Sequence, residues 1–600
     1  MHNFNDVPEK NKVEVRTYAE PCSDEYNIAG NDSFVHSQNS TEVPQLTNVV
    51  PSGSNCSYTN DKDPNGLLYE DADSILPSDK FTDGRYFKDN PKLEYVFIIS
   101  VLLGQVFTQA SSNVCLPLLQ ILSSHFDSDE SQKTWYMSSF SLAQGTLILM
   151  SGRIGDIYGL KNAVMGGYLW TTIWSILAGV AGYVKTPTFF IVCRAMQGAG
   201  LAFVLPNVMG AAGRVYKPGS RRKHMVFSLI GLSAPLGGAL GPIVAGWIAT
   251  ETTQWEWVFY HYAIGLAITM GISWWSIPYI KPHGALTGTK VSVDWIGCTI
   301  GVCSLVLFNF VWNQAPAAGW NSAYIIVLLI VSLVLMGFFF FYEGRYPSNP
   351  LVPKIVTTEI KLILTLLVLF FSWGSFGILF FRFFIFVQEL RNYNPIQSAA
   401  CLTPVLVSGT SAAMVCGLLI SRIKAQFLLV FSMVIFMCSD VMLLEMPIHQ
   451  SYFQISMGIW ILGVWGMDWS FPAGSIILSD GLPAQFQGMA GSLLTTMIMY
   501  GMSLFLGIAG TIESQILKRH PGDILAAHKA CMYFAIGLSS TAIVLSIILA
   551  LLTINKKDDA STSSISEGSE RKEDLEWSPD SNAITTISSP QQHMSSMEHT

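Results

Sequence analysis

Arg194 stands inside an apolar run, 189–205, that is long enough to cross a bilayer. An arginine at the middle of a membrane helix costs about 2.5–3.5 kcal/mol on insertion scales, so it is kept from lipid and turned toward a partner or a wet cavity. Gln197 and Gly198 follow at i+3 and i+4, which puts a cation, a neutral polar group and a small close-contact surface on one helix face. Such a face builds a site. Asp468, midway through the apolar run 453–478, is a group that can gain and lose a proton, or else a structural partner for a buried arginine or hydroxyl. Gln105, Gln109, Asn113, Gln144, Asn207, Asn309 and Asn313 either line a neutral polar path or bond helix to helix. Arg382 reads as snorkelling to the outer face, and Asp440 and Glu343, near the ends of their runs, as interfacial. No glycine-rich phosphate cradle and no nucleophile–base set is present, which argues against an enzyme, and the missing Walker loop argues against ATP drive. The ten cysteines lack C-x-x-C spacing, which argues against metal or disulfide roles.

The elements that position these residues are membrane helices. Of 600 residues, 50% are hydrophobic and only 13% charged, with mean hydropathy +0.39. A soluble domain carries about 25% charged residues, so most of this chain is solvated by lipid. Runs of about 20 apolar residues, the length of a spanning helix, lie near 95–116, 132–152, 163–184, 188–209, 225–249, 257–278, 295–314, 323–343, 361–386, 398–420, 427–447, 453–478, 488–512 and 530–553. The pattern predicts an all-α polytopic membrane protein with about fourteen spans. Residues 1–90 and 555–600 are polar and aperiodic and read as disordered tails. The net charge of −8 resides largely in those tails and gives no argument for nucleic acid.

Loop charge sets the expected orientation. With a cytoplasmic N-terminus the inner links hold Arg153, Lys161, Arg214, Lys217, Arg221, Arg222, Lys223, Lys281, Lys290, Arg345, Lys354, Arg422 and Lys424. The outer links then hold Lys133, Lys185, Arg391, Lys518, Arg519 and Lys529. Both tails are expected inside, and the sequons at Asn31, Asn39 and Asn55 unused. No signal peptide is expected, since the first apolar run starts near Tyr95.

Three ordered motifs add to this. The link after the second span carries Gly152, Asp156, Gly159 and Lys161 in a G-x-x-x-D-x-x-G-x-K pattern. The fourth span carries R-x-x-Q-G-x-G-x-A from Arg194, with Gln197, Gly198 and Gly200. The fifth carries Gly237, Gly241, Pro242 and Gly246, with Ala245 where a further glycine is usual in the pattern. Gly237, Gly241 and Ala245 form a small-residue ridge suited to close helix approach, and Pro235 and Pro242 favour bends; tight packing and a bend at a moving seam both account for them.

Together these resemble the major facilitator superfamily, and within it the fourteen-span drug:proton exporters. The segments 466–473, 479–483 and 487–492 are similar to the fungal subgroup that contains the yeast aminotriazole-resistance exporter and its borate- and ammonium-handling relatives. The resemblance covers roughly 93–554. It implies two six-helix bundles, at 91–280 and 358–554, with two extra central helices between them at 281–357 and substrate held near the midplane between the bundles. It implies proton-coupled export of small toxic molecules across the plasma membrane, with the vacuolar membrane as the alternative. No cofactor is needed, the proton gradient being the energy source, and the partners are a small-molecule substrate and the bilayer, with the chain a monomer. Many such exporters carry an acid in the first helix before Asn-Val-x-Leu-Pro. This chain has Thr108 and Gln109 ahead of Asn113 and no acid there. Arg194, Gln197 and Asp468 are therefore the expected coupling residues, with Gln109 and Asn113 on the substrate path. Two other readings remain: low-affinity facilitation of ammonium or borate, and a non-transporting membrane sensor acting through the tails.

Overall fold

A computed structural model describes residue 87 and residues 90–576, apart from 129, 217–219, 253, 281–292, 347–350, 353, 421 and 483–486. The expected tail at 1–90, with its three sequons, lies almost wholly outside the described residues, as does 577–600. The described chain is helical. Its long helices are α1 (Pro91–Asn113), α2 (Trp135–Tyr158), α3 (Leu160–Val184), α4 (Pro187–Val215), α5 (Arg221–Thr252), α6 (Glu256–Ser276), α7 (Trp295–Ala318), α8 (Ala323–Arg345), α9 (Ile360–Ile385), α10 (Thr403–Ile420), α11 (Ala425–Leu444), α12 (Ile455–Asp480), α13 (Gln487–Arg519) and α14 (Ile524–Glu576).

Twelve helical segments among the described residues are long and apolar enough to cross a membrane. The expectation of about fourteen is not met on apolarity alone. α2 and α6 have the length, 24 and 21 residues, but not the composition. α2 carries Ser138, Ser139, Ser141, Gln144 and Thr146, all buried, so its polar groups face protein and not lipid. α6 is rich in Trp and Tyr, whose amphipathic rings suit the membrane–water interface. The last helix also departs from expectation. Its apolar part ends at Ile554 but its backbone stays helical to Glu576, with no proline in between to stop it.

The helices fall into two packed groups. In the first, α4 packs on α1, α2 and α3, while α5 and α6 pack on α1 and α6 on α3. In the second, α9 packs on α13 and α14, and α11 on α12 and α14. The groups meet along two seams, α2 against α13 and α5 against α10 together with the short helix Pro395–Ala400. α7 covers the first seam by packing on both α2 and α13, and α8 packs on α7. α8 therefore presents a long apolar face, from Ile326 to Phe341, to its surroundings.

Local chemistry explains the joints. Gly159, at the α2–α3 turn, has φ +103°, a conformation that a side chain would strain. Asp294 caps α7 by accepting from the Gly297 amide at 2.9 Å. A capping box between Asn394 and Gln397 starts the helix Pro395–Ala400. The α1–α5 contact is made by small residues: a Cβ on Gly241 would stand 2.6 Å from the Cα of Ala110.

Candidate functional site

Arg194 is fully buried in α4 and acts as a clamp. Its Nη2 donates to the carbonyl of Ser111 in α1 at 2.7 Å, and its Nε to that of Tyr136 in α2 at 3.3 Å. Its Nη1 donates to Gln197 Oε1 at 2.6 Å, and Gln197 Nε2 donates onward to Ser175 Oγ of α3 at 2.9 Å. The guanidinium also lies 4.8 Å from the centre of the Phe140 ring. One planar side chain with five donors thus ties four helices, which a point-charge lysine does not reproduce. The pairing of Arg194 with Gln197 expected from their spacing is present. Asp468 sits apart from it on α12, with no protein partner for its buried Oδ2 among the described residues.

Between the two helix groups lies a cavity of about 40 Å3. Gln109, Ser112 and Asn113 of α1 and Pro235 and Gly238 of α5 form one wall; Trp373, Phe376 and Phe380 of α9, Trp460 of α12 and Met499 and Met502 of α13 form the other. Ser112 neighbours Ser111, whose carbonyl Arg194 holds, so the clamp and the cavity share a stretch of α1. Asn113 Oδ1 has no protein partner among the described residues. The lining is aromatic and thioether-rich with an amide edge, and no charged side chain belongs to it. Each water in liquid occupies about 30 Å3 and drug-sized sites span roughly 300–1,000 Å3, so the cavity is nearly closed in this state.

One end of the cavity is held shut by contacts between the groups. Lys133, ahead of α2, pairs with Glu389, past α9, at 2.5 Å. Beside them Gln388 Nε2 donates to the Leu116 carbonyl at 2.8 Å, and its Oε1 accepts from the Gln120 amide at 3.3 Å. At the opposite end, Asp156 of the α2–α3 motif is ion-paired with Arg214 of α4, and Lys161 lies 5.3 Å from the Trp274 ring centre. Gly152 faces Ser492 of α13. Gly198 and Gly200 allow α4 to approach α2 at Phe140 and α3 at Thr171. Gly237 meets Val106 of α1, and Gly246, a turn after Pro242, meets the backbone of Pro395.

Three sequence expectations are corrected. Arg382 does not snorkel outward: it is fully buried and ion-paired with Glu513 of α13, a partner 131 residues away. Asp440 is not interfacial but 1% exposed, its Oδ2 at 2.6 Å from Ser375 Oγ of α9. Glu343 is also buried, its Oε1 accepting from the Val352 amide at 2.9 Å. Asn309 and Asn313 bond helix to helix. Asn313 Nδ2 donates to Asn309 Oδ1 at 2.7 Å, while Ser503 Oγ of α13 lies 3.0 Å from Asn309 Oδ1 and 2.9 Å from the Ser138 carbonyl of α2. Asn207 likewise donates to the carbonyls of Ser151 and Phe203.

Residues 101–506 match the pattern described as Major Facilitator Superfamily. The chain belongs to that superfamily. It is an integral membrane transporter and not an enzyme. The Aminotriazole resistance protein of Saccharomyces cerevisiae is 41% identical over 515 residues, covering 85% of this chain and 92% of the relative. The Low affinity ammonium transporter of the same yeast is 36% identical, over 77% of this chain and 90% of the relative. The Major facilitator superfamily multidrug transporter mdr3 of Aspergillus fumigatus is 31% identical, over 78% and 82%. Among solved structures, a POT family transporter in complex with a thioalcohol-conjugated peptide superposes with TM-score 0.55 at 15% identity, covering 80% of this chain and 99% of that one. That likeness is one of fold.

Proposed function

We propose that this transporter exports small toxic molecules in exchange for protons, by alternating access to the cavity between its two helix groups. The observation that carries the reading is the cavity itself, walled by both groups and shut at one end by Lys133–Glu389 and Gln388. Relatives named for aminotriazole resistance and multidrug transport support the direction and the class of cargo. The excess of Lys and Arg on the links at the α2–α3 end supports placing that end, and both termini, in the cytoplasm; the plasma membrane is the proposed site of action. The closed end then faces outward. The two bundles correspond to 91–280 and 358–554, with 281–357 as the added pair. A monomer suffices, since the cavity is completed within one chain. Arg194 and Gln197 serve coupling by fixing α1 against α2, α3 and α4, Asp468 is a titrating acid, and Gln109 and Asn113 meet the substrate.

Uptake of labelled aminotriazole into inside-out vesicles under an imposed pH gradient tests this. Flux that ignores the gradient refutes the antiport, and gradient-driven flux that survives Asp468→Asn removes Asp468 from it.

A second reading is facilitated passage of ammonium or another small solute such as borate. The lack of any carboxylate in the cavity lining favours it, as does the relative named as an ammonium transporter. Methylammonium or borate flux that persists at matched pH on both sides identifies this case.

A further inference from the structure

Asp440 lies in the core of the second helix group, on α11, where α9, α12 and α14 pack around it. Ser375 Oγ stands 2.6 Å from Asp440 Oδ2 and 2.9 Å from the carbonyl of Ala535 in α14. Ser375 Oγ donates to Asp440 Oδ2 and also reaches the Ala535 carbonyl, so its single proton is shared between two acceptors unless Asp440 carries a proton of its own. The other carboxyl oxygen, Oδ1, has no hydrogen-bond partner among the described residues.

The groups facing Asp440 are neutral. α9 offers Ser375, and α14 offers Ser539. Of the ionisable residues on the packed helices, His528 of α14 reaches the Leu443 carbonyl, Arg382 of α9 is paired with Glu513, and Asp468 lies on α12. No cation is bonded to Asp440 among the described residues. Trp373 and Phe376 of α9 line the cavity, while Ser375 on the same helix faces α11 and α14 and is not part of the lining.

We propose that Asp440 carries a proton in this state and is a proton-exchange site of the second bundle, with Ser375 as its hydrogen-bonding partner between α11 and α14. On release, the Asp440 O–H bond breaks and the proton passes to water admitted as the bundles rearrange. Ser375 then turns its hydroxyl proton from Ala535 to the new carboxylate, and α9 and α14 lose a link. Uptake reverses each step. The inference deepens the antiport reading by adding a residue that the first-helix pattern does not supply, and it rests on that reading for its role in transport.

The test is infrared difference spectroscopy of the full chain in liposomes between acid and alkaline pH. The wild-type protein is expected to show the C=O stretch of a buried, protonated carboxyl that Asp440→Asn removes and Asp468→Asn leaves. Ser375→Ala is expected to shift that band by removing its hydrogen bond, which decides the matter where Asp440→Asn does not fold. A band that survives Asp440→Asn, or that Ser375→Ala leaves unmoved, overturns the proposal. In the same liposomes, pH-driven aminotriazole flux is expected to fall about tenfold in Asp440→Asn while exchange of labelled for unlabelled aminotriazole persists, a size typical of coupling between two sites. Asp440→Glu is expected to restore it. Wild-type flux without gradient dependence, with the band intact, refutes the antiport but keeps the proton on Asp440.

Discussion

Lys133 Nζ and Glu389 Oε1 stand 2.5 Å apart with side chains only 7% and 12% exposed, joining the segment before α2 to the end of α9. A charge-assisted bond shielded this far from water is worth about 1.5–3 kcal/mol. Glu389→Gln is therefore expected to shift the balance between closed and open forms of the Lys133–Glu389 end roughly ten- to a hundredfold. Labelling of a cysteine placed at Asn113 by a membrane-impermeant thiol reagent, on a background freed of reactive cysteines, measures this. The exchanged pair Lys133→Glu with Glu389→Lys is expected to return labelling toward the wild-type rate, and identical labelling in all three forms removes the gate.

Arg382 and Glu513 form the deepest ion pair described, with side chains 0% and 7% exposed. Removing one partner leaves a buried charge unmatched and costs about 3–5 kcal/mol, whereas replacing both with apolar residues of similar volume is often neutral. Glu513→Gln is thus expected to lower the melting temperature in detergent sharply, and Arg382→Met with Glu513→Leu to recover most of the loss. Equal destabilisation by the single and the double change counts against this account.

Arg194→Lys keeps the charge and loses the geometry. An ammonium on a flexible stem does not span the carbonyls of Ser111 and Tyr136 together with Gln197. Transport is expected to drop at least about tenfold at unchanged surface expression, since a charge-assisted bond to a carbonyl is worth about 1.5–3 kcal/mol. Full activity in Arg194→Lys shows that charge alone is required.

Gly241→Val is expected to abolish transport by wedging α5 from α1, because the new side chain begins 2.6 Å from Ala110 Cα. Overpacking of this kind costs typically about 1–3 kcal/mol, so the protein should still be made but with a lowered melting temperature. Gly271 in α6 has nothing within 4 Å of its Cβ position, and Gly271→Ala serves as the tolerant control.

Much of this was legible in the chain because the relevant signals are local. The Arg194–Gln197 pair is an i, i+3 relation, the small-residue ridge of α5 is periodic, and apolar run length marks spans. α2 is a harder case: 132–152 reads as one of the apolar runs, yet its buried serines leave the helix short of the apolarity of the other spans. What was illegible depends on partners distant in sequence. Arg382 near the end of a run looks free to reach solvent until Glu513 is placed beside it. Asp440 looks interfacial until α9 and α14 close over it. Nothing local to either residue distinguishes the two outcomes; only the packing of the second helix group does. The charge of Lys133 was placed on an outer link, but its pairing with Glu389 spans 256 residues and has no local sign.

The node formed by Ser138, Ser503 and Asn309 threads α7 into the seam between the helix groups. Any sliding of α2 against α13 must carry α7 with it, and α8, which packs on α7, follows into the surrounding lipid. The lipid-facing surface of α8 is therefore coupled mechanically to the α2–α13 seam, although neither seam helix borders that surface.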